Sequence, residues 1–210
     1  MTIIKSEVDS EMNGLISDLQ ALIKQPSVSA KRQGLTECAY LVANMMNKAG
    51  IRAEVLYLDD GNHSGDDDNN KNSNKEENYI TSLAPPIVYG EVKLKANPDG
   101  KTILFYNHYD VQPEEPIELW EADPFSGKIE GNYIFGRGAA DDKGELITRI
   151  KAVEYFLKKT GDVPCNVKFL VEGEEEIGSE NLEKYPPSSR PMFKQGFTSF
   201  ITDTLRSLLR

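Results

Sequence analysis

The spacing of apolar positions predicts two helices and a strand at the start of the chain. Between residues 10 and 23, apolar side chains recur every three or four positions, which places them on one face of a helix that Pro26 would end. A second helix is predicted over residues 35–48, and Gly50 suits its C-terminal end. Alternating apolar and polar residues at 51–58 then indicate a strand.

The middle of the chain alternates between strand and helix patterns. Apolar, β-type runs at residues 86–92, 102–106 and 167–171 predict strands, and residues 127–135 predict a hairpin. Residues 145–159 carry their apolar side chains on one helical face. A strand–helix–strand order of this length favours a parallel pair with a right-handed crossover. The predicted fold class is therefore α/β, with a mixed, largely parallel sheet flanked by helices.

Two segments depart from this pattern. Residues 59–78 are low in complexity, acidic and almost without apolar groups, so we interpret them as a disordered insertion in which His63 is solvated. A calcium loop is the alternative, but the spacing and closing glutamate of an EF-hand are absent. Prolines open residues 186–210, which we interpret as a divergent tail, either a foreign C-terminus or a short amphipathic helix.

Composition narrows the function classes. The formal net charge is −10, which argues against non-specific nucleic-acid binding because phosphate contacts need clustered Lys and Arg. The two cysteines, Cys38 and Cys165, imply no disulfide framework and favour a reducing cytoplasm. We find no apolar run of the length that a signal peptide or a membrane span needs. We therefore expect a cytoplasmic protein without nucleic-acid or membrane partners.

The first candidate for chemistry is the acidic run that follows the apolar strand 167–171. Its carboxylates, Glu172, Glu174, Glu175 and Glu176, would crowd the carboxyl end of a buried strand. Such groups repel one another unless a cation or shared protons compensate, and open α/β sheets bind their ligands at this edge. Zn²⁺ or Mn²⁺ fits the chemistry, whereas a solvated turn is the plainer alternative.

Two further motifs bring ligand-type side chains to similar places. His108 and Asp110 follow the strand 102–106, and residues two apart on a strand share a side, so the carboxylate could hold the second imidazole nitrogen. The alternative for His108 is a hydrogen-bonded loop histidine. The glycine-rich stretch 136–144 precedes the next helix, but Asp141 takes the place of the third glycine of a dinucleotide loop and would repel a pyrophosphate.

Together, the three motifs resemble those of the M20 family of metallopeptidases, in particular its carnosinase-like, cytosolic dipeptidase branch. The matching segments are His108-Tyr109-Asp110, the stretch Gly136 to Gly144 with Asp141, and the acidic run with Glu175 and Glu176. The resemblance covers about residues 10–185. It implies that residues 1–185 are the N-terminal part of a zinc-exopeptidase-like catalytic domain.

The resemblance also implies roles for individual residues. His108 would bind one of two zinc ions, Glu176 the other, and Asp141 would bridge them, with Mn or Co as possible substitutes. Asp110 would orient His108, and Glu175 would be the general base for hydrolysis of a peptide or amide bond. The implied partners are dipeptides or N-acyl amino acids, with a homodimer expected in a full-length relative and not in this chain.

Some of the family's features have no counterpart in this sequence. A further aspartate ligand could be Asp203, although its context differs, and the family's late histidine ligand and its lid or dimerisation domain are absent. We therefore expect the isolated chain to be an impaired peptidase. The alternatives are a non-catalytic fragment or pseudo-enzyme, an N-acyl amino acid deacylase and, on residues 59–78 alone, an acidic binding module.

Overall fold

The computed structural model describes residues 5–58 and 84–185, with side chains described from residue 11 onward. The insertion at 59–78 and the tail at 186–210, and with them His63 and Asp203, lie outside the described residues. Contacts divide the chain into two units. The first, Met1–Leu56 with Pro85–Ser179, contains every element that concerns the site. The described part of the second includes a short 3-10 helix at Leu182–Lys184.

Three α-helices form where the apolar periodicity predicts them. They are α1 (Lys5–Lys24), α2 (Leu35–Lys48) and α3 (Lys143–Thr160). The predicted bounds of α2 are confirmed to the residue, whereas α1 and α3 each begin before the first residue of the predicted pattern. The apolar faces of all three helices contribute to one buried core. No helix in the described ranges is long and apolar enough to cross a membrane.

Six strands complete the first unit. They are β1 (Arg52–Leu56), β2 (Ile87–Val92), β3 (Thr102–His108), β4 (Lys128–Glu130), β5 (Tyr133–Phe135) and β6 (Asn166–Glu172). Four of them form a sheet in the order β1-β2-β6-β3, and β4 pairs with β5 as the predicted hairpin.

The mixed sheet with helices packed against it is confirmed, and so is the parallel pair predicted from the strand–helix–strand order, since β3 runs parallel to β6. Parallel pairing does not predominate among the described strands, however, because β2 runs antiparallel to both β1 and β6. The direction of β2 depends on pairing with strands distant in sequence, which local periodicity does not report.

The parallel pairing of β3 and β6 positions the candidate chemistry. The two strands end together, with His108 opposite Glu172 in the register. β6 lies between β2 and β3 and is buried along almost its whole length, as expected for a strand covered on both faces. The motifs that follow β3 and β6 therefore emerge at the same edge of the sheet.

A buried lysine links this edge to the end of α1. Lys143 is fully buried, and its Nζ donates hydrogen bonds to the carbonyl oxygens of Leu22, at 2.9 Å, and Gln25, at 2.8 Å. Leu22 would normally bond to the amide of residue 26, but that residue is Pro26, which has no N–H. Lys143 thus replaces a missing helix hydrogen bond, and its burial lowers the pKa of the ammonium.

We expect Lys143→Met to lower the free energy of unfolding by about 2 kcal/mol, because it leaves two carbonyl oxygens without this donor. Urea unfolding measures the change. Lys158→Met is the control, since that lysine is exposed and its ion pairs with Glu11 and Glu154 should cost less than about 0.5 kcal/mol to lose. Equal losses in the two variants would contradict the role given to Lys143.

Candidate metal centre

His108 is the centre of the candidate site. It is the last residue of β3 and is buried, with Nε2 3.0 Å from Asp141 Oδ1 and 3.8 Å from Glu175 Oε2. Its Nδ1 lies 3.1 Å from the main-chain oxygen of Asp110 and 3.4 Å from the Asp110 carboxylate. With Nδ1–H donated to that carbonyl, Nε2 faces the acidic groups, where it can carry a proton or, once deprotonated, offer its lone pair to a metal ion.

The Asp110 carboxylate has its main contacts elsewhere. It is fully buried, and its two oxygens accept hydrogen bonds from the backbone amides of Glu175, at 3.2 Å, and Glu176, at 3.1 Å. The sequence predicted that this carboxylate would support the imidazole, and its Oδ1 lies 3.4 Å from His108 Nδ1, although β3 already ends at His108. Asp110 also holds the start of the 3-10 helix Glu175–Ile177.

The acidic run and the loop before α3 bring further ligand-type atoms to His108. One donor atom each from His108, Glu175 and Glu176 lie within 4.8 Å of one another. Asp141 stands apart from this group but contacts His108 Nε2, and most of its side chain, 79%, is exposed. The predicted ligands Asp141 and Glu176 thus both lie beside His108, and so does the predicted base Glu175.

The charges around His108 favour a cation. Burial by itself would lower the pKa of the imidazole, but Asp110, Glu175 and Asp142 raise it to about 10. Burial raises the pKa of Glu175, the neighbouring carboxylates of Glu176, Asp110 and Asp141 raise it further, and His108 opposes them. A cluster of carboxylates of this kind is stabilised by positive charge, which a proton or a metal ion can supply.

Three buried carboxylates, those of Asp142, Glu172 and Glu174, were not assigned roles from the sequence. Asp142 Oδ2 accepts hydrogen bonds from Asn107 Nδ2, at 2.6 Å, and from the amide of His108, at 3.1 Å, and burial raises the pKa of Asp142. Asp142 therefore ties the loop before α3 to the end of β3. Glu172 makes further contacts at this edge.

Glu172, at the end of β6, accepts hydrogen bonds from the hydroxyls of Tyr106 and Ser179. Its second oxygen has no hydrogen-bond partner among the described residues, and burial raises its pKa to about 7. The sequence did contain a sign that Glu172 is buried, since this residue directly follows an apolar run that predicts a buried strand.

The titration of Glu172 predicts a specific pH dependence of stability. Its pKa is about 7 in the folded chain and 4.5 ordinarily, so between these values the folded state retains a proton that the unfolded state releases. Stability should therefore fall as pH rises through this window, by about 3 kcal/mol. Glu172→Gln, which cannot ionise, should lack this component.

Urea unfolding of both proteins from pH 4.5 to 8, with a chelator present, measures the difference. The gap between wild type and Glu172→Gln should change across the window and stay constant above it. Curves that remain parallel throughout would show that Glu172 titrates normally.

The fold has relatives among metallopeptidases of known structure. Human carnosine dipeptidase 1 superposes with a TM-score of 0.71 at 27% identity, over 91% of this chain and 38% of that one. The M20 family metallo-carboxypeptidase Sso-CP2 from Sulfolobus solfataricus superposes with a TM-score of 0.67 at 35% identity, over 86% of this chain and 35% of that one. The described residues thus share the fold of part of a metallopeptidase catalytic domain.

Sequence similarity identifies the family. Residues 104–203 match Peptidase family M20/M25/M40. The Cys-Gly metallodipeptidase dug1 of Schizosaccharomyces pombe is 36% identical over 180 residues, which is 84% of this chain and 34% of that protein. The chain belongs to the M20 peptidase family, as its three motifs predicted. It spans about a third of the length of these relatives.

Proposed function

We propose that this chain carries part of a metal-dependent peptidase that hydrolyses small peptides, with dipeptides as the substrate class. The observation that carries the proposal is the meeting of His108, Asp141, Glu175 and Glu176 at one edge of the sheet. Relatives named as dipeptidases support it, among them a Cys-Gly metallodipeptidase and a carnosine dipeptidase.

The donor atoms fit a divalent cation. Two ligands each bound at about 2.0–2.2 Å from Zn²⁺ at tetrahedral or smaller angles lie about 3.0–3.5 Å from each other. His108 Nε2 and Asp141 Oδ1 are 3.0 Å apart, so they could share one ion. Imidazole and carboxylate donors suit Zn²⁺, and Mn²⁺ or Co²⁺ as well. In the proposal His108 would hold one of two zinc ions, Glu176 would hold the other, and Asp141 would serve both.

The chain's own residues would then transfer a proton and hold the group that transfers it in place. A bound divalent cation lowers the pKa of water and polarises a substrate carbonyl. Glu175 takes up a proton at its carboxylate and later gives it to the nitrogen of the leaving amine. The raised pKa of Glu175 suits this task, since a base is most effective when its pKa approaches the working pH. Asp110 fixes the Glu175 amide, which limits where that carboxylate can reach.

The remaining parts of the proposal concern the domain boundaries and the cellular location. We keep residues 1–185 as a portion of the catalytic domain and 186–210 as a divergent tail, although the family match itself extends to residue 203. A cytoplasmic location is supported by Cys38 and Cys165, which are both free thiols in the structure.

The direct test is hydrolysis of a dipeptide panel, including Cys-Gly and β-Ala-His, by the purified 210-residue chain with added Zn²⁺ or Mn²⁺. We expect turnover that a chelator abolishes, slower than the ~10 s⁻¹ of a typical enzyme because the described residues offer a single imidazole ligand. Metal binding without turnover would favour the non-catalytic alternative. Turnover of N-acyl amino acids alone would favour the deacylase.

A further inference from the structure

Gln112 makes two hydrogen bonds to a single residue of the candidate metal centre. Its Nε2 donates to the side-chain Oε2 of Glu176 at 2.7 Å and to the main-chain oxygen of Glu176 at 3.1 Å. One amide nitrogen therefore fixes both the carboxylate and the backbone of a proposed metal ligand. Neither the sequence motifs nor the proposed mechanism gives Gln112 a role.

The same short segment also contacts Glu176 from the other side of the peptide unit. Asp110, two residues before Gln112, accepts the hydrogen bond from the Glu176 amide at 3.1 Å. Between them, Asp110 and Gln112 bond to the N–H, the C=O and the side chain of Glu176. The segment after β3 thus fixes the position of the one-turn 3-10 helix Glu175–Ile177 through these hydrogen bonds.

We infer that Gln112 is a positioning residue that sets the metal affinity of the site by holding the Glu176 carboxylate. The inference rests on the proposed function. Glu176 lies on a one-turn helix at the surface, where an unrestrained carboxylate would lose rotamer freedom on binding a metal. A carboxylate that is already held does not lose that freedom, so the metal binds more tightly.

The chemistry of an amide suits this role. A lysine or arginine at this position would neutralise the carboxylate and compete with the metal, whereas glutamine donates a hydrogen bond without a charge. A carboxylate has two oxygens, so Glu176 can accept from Gln112 with one and bind a cation with the other. Partners of this kind typically change metal affinity by ~10–100-fold when they are removed.

The exposure of Gln112 makes the inference testable. Because the side chain is exposed, its replacement should leave the core intact and change unfolding by less than about 0.5 kcal/mol. Gln112→Met preserves the length and removes the donor, and Gln112→Asn preserves the amide but shortens its reach. Calorimetric titration of each 210-residue chain with Zn²⁺ gives the dissociation constant, and urea unfolding in chelator gives the stability.

We expect Gln112→Met to weaken Zn²⁺ binding about tenfold, and Gln112→Asn to weaken it as well, with stability nearly unchanged. In a Glu176→Gln background, Gln112→Met should have no further effect, because the residue acts through Glu176. A Zn²⁺ affinity equal to that of wild type would overturn the inference and leave the proposed function in place. Additive effects of the two substitutions would also overturn it. A wild-type chain without Zn²⁺ affinity would overturn both.

Discussion

Glu175→Gln is expected to lower dipeptide turnover by ~10²–10⁴-fold, the usual contribution of a general base. The amide is nearly the same size as the carboxylate but cannot accept and return a proton. The Glu175 backbone amide remains bonded to Asp110, so the position of the residue should persist. The measurement is the initial rate of dipeptide hydrolysis with Zn²⁺ in excess.

The same variant separates two roles for Glu175, because its carboxylate also lies in the donor group with His108 and Glu176. A base should lose rate and keep the Zn²⁺ dissociation constant, whereas a ligand should lose both. Glu130→Gln, an exposed carboxylate in the β4–β5 hairpin, is the matched control and should retain full turnover. A Glu175→Gln chain as fast as this control would remove Glu175 from the mechanism.

Gly173→Ala is expected to destabilise the fold by about 3 kcal/mol or more, because overpacking of a rigid core has no easy relief. A Cβ at this position would lie 2.1 Å from the hydroxyl oxygen of Tyr109 and 2.3 Å from its Cζ. Tyr109 is fully buried, and its hydroxyl donates to the Pro86 carbonyl at 2.7 Å, so the ring cannot move aside without losing that bond. Thermal and urea unfolding measure the loss.

The control for this change is Gly14→Ala, the same substitution on an exposed part of α1, where the nearest atom to a Cβ is Lys151 Nζ at 4.0 Å. Alanine in a helix interior should stabilise by about 0.5–1 kcal/mol relative to glycine. Opposite signs for the two variants are the expected pattern. A neutral Gly173→Ala would mean that Tyr109 is not packed as the structure places it.

The sequence predicts most local structure of the first unit because local signals specify it. The apolar stripe of α2 and Gly50 beyond it mark that helix completely, and the parallel pair β3 and β6 follows from the strand–helix–strand order. The three motifs also predict where ligand-type side chains gather, because strand ends meet at one edge of a sheet.

The sequence does not predict contacts that depend on distant partners. Periodicity does not report that the Asp110 carboxylate also bonds to the amides of Glu175 and Glu176, which lie far along the chain. Lys143 follows two acids in the sequence, which is typical of an exposed charge. In the structure it instead donates hydrogen bonds to carbonyl oxygens at the end of α1. The sequence analysis gave Gln112 no role, because its contact with Glu176 depends on where Glu176 lies after folding.

The most direct measurement of the central claim is a calorimetric titration of the 210-residue chain with Zn²⁺, repeated for His108→Ala and Asp141→Asn. If these side chains share a cation, the wild type should bind Zn²⁺ saturably, and each substitution should weaken binding by at least ~10-fold, since a site left with too few ligands binds weakly. Circular dichroism should show that both variants remain folded. Absent binding by the wild type, or equal affinity in folded His108→Ala, would contradict a metal centre at this edge of the sheet.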